Sequence, residues 1–231
     1  MKRALKKFLR SVLAKCQGKA IDKIPETMIE QAQTISFDVF DTLVLRTVAN
    51  PTDVFEVVES SYNKGDHGKT ISSFKSERIK AESAARSKSE GKEITLDAIY
   101  QELGEVYDPA TVDVLKTIEV NTELDVCAAN PELLSFYQRM KGLGKRIVMV
   151  SDMYLPSEVI GNILARCGYG GYEKLYVSSE YGVMKRYGDL FELVKKDYSD
   201  GSILHIGDHP IADYSVAKKK GVMAFLYRRK V

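Results

Sequence analysis

Long apolar runs are missing from this sequence. No stretch approaches the roughly 18 consecutive apolar residues that a bilayer crossing takes, so no membrane-spanning helix is expected. Cysteine is scarce: Cys16, Cys127 and Cys167 are odd in number, widely separated and outside any Cys-x-x-Cys spacing. That pattern argues against a zinc site or a disulfide framework and for free thiols in a reducing, cytoplasmic setting. An excess of one charge is also lacking, since 34 Lys and Arg against 32 Asp and Glu leave a formal net charge of +2. The body of the protein therefore has no charge-based affinity for nucleic acid. What is present is an ordinary globular composition, 44% apolar and 29% charged over 231 residues. That length allows one elaborated domain or a core with a smaller insert.

The first 23 residues depart from the balance. Lys2, Arg3, Lys6, Lys7, Arg10, Lys15 and Lys19 precede the first acid, Asp22, while Leu5, Phe8, Leu9, Val12, Leu13 and Cys16 recur at helical spacing. The segment reads as a basic amphipathic helix, and charges break every apolar run before a signal-peptide core can form. Such a helix lies on an anionic membrane surface or in a partner's groove, or else packs its apolar face on the domain behind it.

Residues 35–45, Ile-Ser-Phe-Asp-Val-Phe-Asp-Thr-Leu-Val-Leu, carry Asp38, Asp41 and Thr42 in a segment too apolar for an exposed loop. Buried carboxylates need partners. At the C-terminal end of a parallel strand, such a group faces the crevice where α/β proteins bind ligands. A helix cap or turn formed by Asp41 and Thr42 is the structural alternative. After a first strand at 36–39, four more short apolar runs lead into turns and then helices, at 146–150, 174–178, 203–207 and 222–226. Helices are expected at 131–141, 156–167, 189–198 and 211–220. The alternation predicts an α/β fold, a parallel sheet with helices on both faces.

Residues 47–129 show several helical patterns and no strong strand signal. This is roughly 80 residues, far more than a crossover needs. The expected organisation is thus a basic helix at 1–23, an α/β core at 24–46 and 130–231, and an all-α cap at 47–129 above the strand end that carries Asp38. Within that cap Arg78 shares a helical face with Phe74, Ala81 and Ala85. It is a candidate contact for an anionic substrate, as are Arg86 and Lys75. The alternative is an Arg whose stem covers apolar surface while its head reaches water or Glu82. The polar loop at 64–69 gives no role to His67.

Three further strand ends present functional groups. Ser151 follows the second strand, Lys185 lies in the loop at 182–188 after the third, and Gly207-Asp208 ends the fourth, with Asp213 five residues later near a helix start. Each alone has an ordinary reading, as a turn, as solvated surface or as a first-turn acid. In this order, the four elements resemble the haloacid dehalogenase (HAD) superfamily of phosphohydrolases. Asp38 and Thr42 match the first motif of that family, Ser151 the second and Lys185 the third. Asp208 and Asp213 match the fourth, Gly-Asp-x-x-x-x-Asp. The resemblance implies a Rossmann-like core with a helical cap inserted after the first motif. Phrases at 37–44, 151–156 and 205–208 are also similar to a subgroup of HAD hydrolases that accompanies bacterial surface-polysaccharide glycosyltransferases.

The same resemblance implies a Mg²⁺ held by Asp38, Asp208 and the Phe40 carbonyl, with Asp213 supporting or ligating it. It makes Asp38 the nucleophile, and gives Ser151, Thr42 and Lys185 the task of holding the transferring oxygens. One position departs from the pattern. Phosphatases of this family carry an Asp two residues after the nucleophile, as acid and then base, and here that residue is Phe40. Asp41 stands one position later and, on a strand that simply continued, would face the other side. Asp41, His209 and Asp152 are the remaining acids. The leading expectation is a Mg²⁺-dependent phosphatase of a small sugar or polyol phosphate, cytoplasmic or peripheral at the inner face of the membrane. The alternatives are a degenerate core that binds a phosphorylated ligand or a glycosyltransferase, and a metal-independent 2-haloacid dehalogenase.

Overall fold

The computed structural model describes residues 18–229. The basic helix expected at 1–23 lies outside them but for its last residues, of which Ile21–Lys23 form a single tight turn. The strands, in chain order, are β1 (Thr34–Phe37), β2 (Val44–Arg46), β3 (Cys127–Ala129), β4 (Arg146–Ser151), β5 (Lys174–Val177), β6 (Ile203–Gly207) and β7 (Met223–Leu226). Five of them make one parallel sheet in the order β5-β4-β1-β6-β7. Every residue of β1 and β6 is buried, as central strands covered on both faces must be. The edge strands β5 and β7 begin with half-buried residues. The predicted α/β, Rossmann-like class is the observed one.

Strand β1 sits at the centre, with Phe37 level with Met149 of β4 on one side and with Ile206 of β6 on the other. Asp38, Ser151 and Asp208 therefore leave three adjacent strands at the same, C-terminal, edge. This is the crevice where ligands bind in open α/β sheets.

The helices are α1 (Glu26–Gln31), α2 (Val54–Lys64), α3 (Phe74–Lys88), α4 (Leu96–Leu103), α5 (Pro109–Val126), α6 (Pro131–Gly142), α7 (Ser157–Arg166), α8 (Ser178–Tyr181), α9 (Asp189–Asp197) and α10 (Ala217–Lys219). Helices α2 to α5 occupy the long stretch between β2 and β3. Their starts are set locally: Thr95 accepts from the Ala98 N–H at 3.1 Å, and Asp108 from Thr111 N–H at 3.0 Å with Pro109 at the first helical position. Helix α3 buries the expected face of Phe74, Arg78, Ala81 and Ala85, and α4 buries Leu96, Ile99, Tyr100 and Leu103.

The first strand lies at Thr34–Phe37, two residues before the expected 36–39, so Asp38 follows it, and further differences from the sequence reading bear on the site. Strands β2 and β3 pair antiparallel, Val44 with Ala129 and Arg46 with Cys127, so the chain enters and leaves the helical stretch through a small β-ribbon. Three residues per strand are too few for alternation to show in sequence. The helix expected at 211–220 is instead a π-helical turn, Pro210–Val216, followed by the short α10. Asp213, buried within this turn, lies against Gly207. Among the described residues no helix is long and apolar enough to cross a membrane.

Candidate active site

Asp38 follows β1 directly, its N–H donating to the Ile206 carbonyl at 2.9 Å. The chain does not continue straight. Val44 N–H closes back on the Val39 carbonyl at 2.9 Å, and Asp41 takes a left-handed conformation with φ of 60°, one that an Asp adopts far more readily than a branched residue. The turn carries Thr42 over Asp38, and the Thr42 hydroxyl donates to Asp38 Oδ2 at 2.9 Å, with Asp208 Oδ1 more distant at 3.4 Å. Buried Asn130 holds the turn in place through its Nδ2, which donates to the Thr42 carbonyl at 2.8 Å.

Lys185 reaches this cluster from the segment after β5. It is 3% exposed, and its Nζ donates to Asp38 Oδ1 and, at 2.7 Å, to Asp213 Oδ1. Its backbone N–H donates to Asp152 Oδ1 at 2.8 Å. Asp213 Oδ2 accepts from the His209 N–H at 2.9 Å. Ligand oxygens of Asp38, Asp208 and Asp213 all lie within 4.8 Å of one another. Gly207 makes this approach possible, because a Cβ there would stand 2.5 Å from Asp213 Cγ.

One ammonium between two buried carboxylates leaves a negative charge uncompensated, and it falls on Asp38. Burial, opposed by Lys185 and reinforced by Asp213 and Asp208, pushes the Asp38 carboxyl up to about 8. Burial would raise Asp213 too, but Lys185 and His205 outweigh it and hold that carboxyl below the ordinary range. Lys185, against its own desolvation, is held above the usual lysine range by Asp213, Asp38 and Asp152. Asp208 stands exposed at the mouth and is raised by the protein around its carboxyl, then by Asp213 and Asp41.

The structure also brings in residues to which the sequence reading gave no role. Burial lowers His205, so its imidazole is neutral. The hydrogen-bond network assigns its tautomer: the Ser36 hydroxyl donates to Nδ1 at 2.8 Å and Nε2–H donates to Asp213 Oδ1 at 3.2 Å. Ser36 and His205 are register partners on β1 and β6. Two polar residues inside otherwise apolar strands were the signal that could have singled them out.

The predicted residues now divide. Asp38, Thr42, Lys185, Asp208 and Asp213 come together as one cluster. Ser151 ends β4 and is buried. Asp41 is exposed and lines a cavity with Asp208. The Phe40 ring is half-buried beneath Arg46, whose guanidinium carbon lies 4.5 Å from the ring centroid. His209 caps the π-helical turn, its Nδ1 accepting from the N–H groups of Ile211 and Ala212.

Arg78 requires correction as a substrate contact, whereas Arg86 is exposed. Arg78 is fully buried among the insert helices, paired through two bonds of 2.8 Å with buried Glu119 and stacked on Phe55 and Tyr154. A guanidinium placed on an apolar face had a partner on another helix, Glu119 of α5, which no local pattern reveals. Arg86 is engaged by Glu82 and by buried Glu93. Glu93 in turn accepts from Ser178 at 3.2 Å, tying the insert to the end of β5.

No family model and no curated protein matches this chain. Solved structures do. A 2-haloacid dehalogenase from Pseudomonas syringae superposes with a TM-score of 0.58 at 15% identity over 85% of this chain and 86% of that one. The HAD-hydrolase YfnB from Bacillus subtilis, in a structure bound to magnesium, gives 0.55 at 17% identity over 84% and 87%. A predicted phosphoglycolate phosphatase from Haemophilus somnus gives 0.53 at 14% over 84% of each. None of these three supports the narrower likeness to the glycosyltransferase-associated subgroup. At such identities the likeness concerns architecture: the chain has the α/β fold of HAD-superfamily hydrolases, dehalogenases and phosphatases alike.

Proposed function

We propose that the protein is a Mg²⁺-dependent phosphatase of a small phosphorylated metabolite, a sugar or polyol phosphate, working through an aspartyl-phosphate on Asp38. The observation that carries this reading is the charge imbalance of the cluster, three carboxylates with ligand oxygens within 4.8 Å of one another and a single ammonium, Lys185, paired with two of them. An all-oxygen donor set with surplus negative charge fits a hard divalent cation. Asp38, Asp208 and the Phe40 carbonyl would hold it, with Asp213 behind them. When bound, Mg²⁺ neutralises charge on a phosphoryl group.

The chain's own residues account for the rest. Asp38, as its carboxylate, forms the bond to phosphorus while the ester oxygen leaves. The Lys185 ammonium and the Thr42 and Ser151 hydroxyls are the donors available to the three phosphoryl oxygens, where charge accumulates in the transition state. Water then releases phosphate from Asp38. The departing ester oxygen needs a proton, and Phe40 has none to give. We assign that proton to Asp41, because its turn carries it to the cavity that Asp208 also lines. A dehalogenase reading leaves Asp208 and the surplus charge without a purpose. The basic segment at 1–23 is the proposed contact with a membrane surface or a glycosyltransferase.

The test is phosphate release from sugar, polyol and nucleotide phosphates with and without Mg²⁺, beside Asp38→Asn. Release that needs both Mg²⁺ and Asp38 is expected. Turnover indifferent to either refutes the mechanism, and metal-independent halide release from 2-haloacids selects the dehalogenase.

A further inference from the structure

On the β7 side of the carboxylates lies a cavity of about 360 Å³. Asp41 and Asp208 line it from the ends of β1 and β6, and Tyr227, Arg228 and Arg229 from the segment that leaves β7. The backbone there is fixed on two sides. Tyr227 N–H donates to the Gly207 carbonyl at 2.8 Å, and Arg228 N–H to the Lys19 carbonyl at 2.9 Å. Gly18 passes so close that a Cβ on it would stand 3.0 Å from Arg228 Cβ and from the Tyr227 carbonyl.

The side chains, by contrast, are uncommitted. Arg228 and Arg229 are exposed, and among the described residues their guanidinium groups have no ion-pair or hydrogen-bond partner, Asp41 and Asp208 included. Arg46, Arg78 and Arg146 elsewhere in the fold are each bound to a carboxylate through two nitrogens. Two free forks on a fixed backbone, opening into a cavity that begins at the candidate site, suit the two-pronged recognition of a carboxylate or phosphate.

The spacing sets the size of what fits. β7 stands two strands from β1, roughly 10 Å at the usual spacing, less the reach of an arginine side chain. We propose that this cavity is a subsite for a second anionic group of the substrate. The preferred substrates are then phosphorylated sugars or polyols that also bear a second phosphate or a carboxylate. This rests on the phosphatase reading for the phosphate at Asp38. Asp41 and Asp208 would repel a lone anion, so the subsite works only for a molecule anchored at both ends.

The test uses the full chain and its Arg228→Gln/Arg229→Gln double variant, with Mg²⁺, on glucose monophosphate, glucose bisphosphate and phosphogluconate. Affinity for the same compounds is measured in parallel on both proteins. The wild type is expected to favour the two doubly anionic compounds about tenfold or more in KM. The double variant should lose that preference, with KM for them raised on the order of tenfold to a hundredfold, the worth of one or two charged hydrogen bonds. Glucose monophosphate should change less than about twofold. Equal effects on all three compounds, or no preference in the wild type, overturn the subsite. If nothing is turned over, the phosphatase reading fails separately. Binding then decides: arginine-dependent affinity for the doubly anionic compounds upholds the subsite, and its absence overturns it.

Discussion

Lys185 stands between Asp38 and Asp213, and the resulting imbalance has a measurable signature in the protein without metal. The Asp38 carboxyl, raised to about 8, holds a proton in the fold that the unfolded chain gives up near the ordinary carboxylate value. With more protons on the native state, stability falls as pH rises through that interval. Each unit of the shift corresponds to about 1.4 kcal/mol. Thermal melts in EDTA should therefore show Asp38→Asn more stable than wild type above about pH 8 and no more stable near pH 4. Mg²⁺ should raise the wild-type melting temperature and leave Asp38→Asn nearly unmoved. A wild type that is the more stable at alkaline pH would contradict the charge assignment. At Gly207, the constraint is steric. Gly207→Ala sets a methyl 2.5 Å from Asp213 Cγ, so it should weaken Mg²⁺ binding in calorimetry together with turnover.

At the scale of elements, the helices of the insert are joined by ion pairs of unequal weight. Arg78 and Glu119 have no exposed side-chain surface. Removing one partner leaves a buried charge alone, which costs about 3–5 kcal/mol. Denaturant unfolding of Glu119→Gln should show a loss of that order. Lys116→Ala, which breaks an exposed pair with Asp97, should cost less than about 1 kcal/mol. The neck has a similar clamp: Arg46, stacked on Phe40, bonds Glu123 of α5 through two nitrogens at 3.0 and 3.1 Å. Phe40 thus belongs structurally to the ribbon that links sheet and insert. Phe40→Asp should loosen that link, seen as faster hydrogen exchange across β2 and β3, even if the new carboxyl can serve as an acid.

At the scale of the whole molecule, the sequence carried the sheet well because its strands are short apolar runs ending in Gly or polar turns, and 203–207 was read to the residue. It carried the insert as helical, although α5 buries Thr111, Glu119, Thr122 and Glu123 beside Leu115 and Val126 and so shows no clean apolar face. It did not carry β2 and β3, which are too short to have a period, or the π-helical turn at Pro210–Val216. Asp38 and Asp208 were legible because they follow β1 and β6 directly, whereas Lys185, well past the end of β5, was singled out only by the ordered resemblance of the motifs. Arg78 was misread because Glu119, its partner, lies 41 residues further along the chain on another helix. Asp41 could not be aimed from sequence, since its direction depends on a left-handed turn that the alternation rule for strands does not contain.

Everything proposed for the site rests on Asp38 acting as a nucleophile that accepts a phosphoryl group. The direct measurement is acid-quenched peptide mass analysis after mixing the full chain with Mg²⁺ and a phosphorylated sugar that it hydrolyses. A phosphoryl group is expected on the peptide containing Asp38, lost on longer incubation and absent from Asp38→Asn, which also releases no phosphate. Phosphate release by Asp38→Asn at the wild-type rate, with no phosphoryl group on this peptide in the wild type, would contradict it.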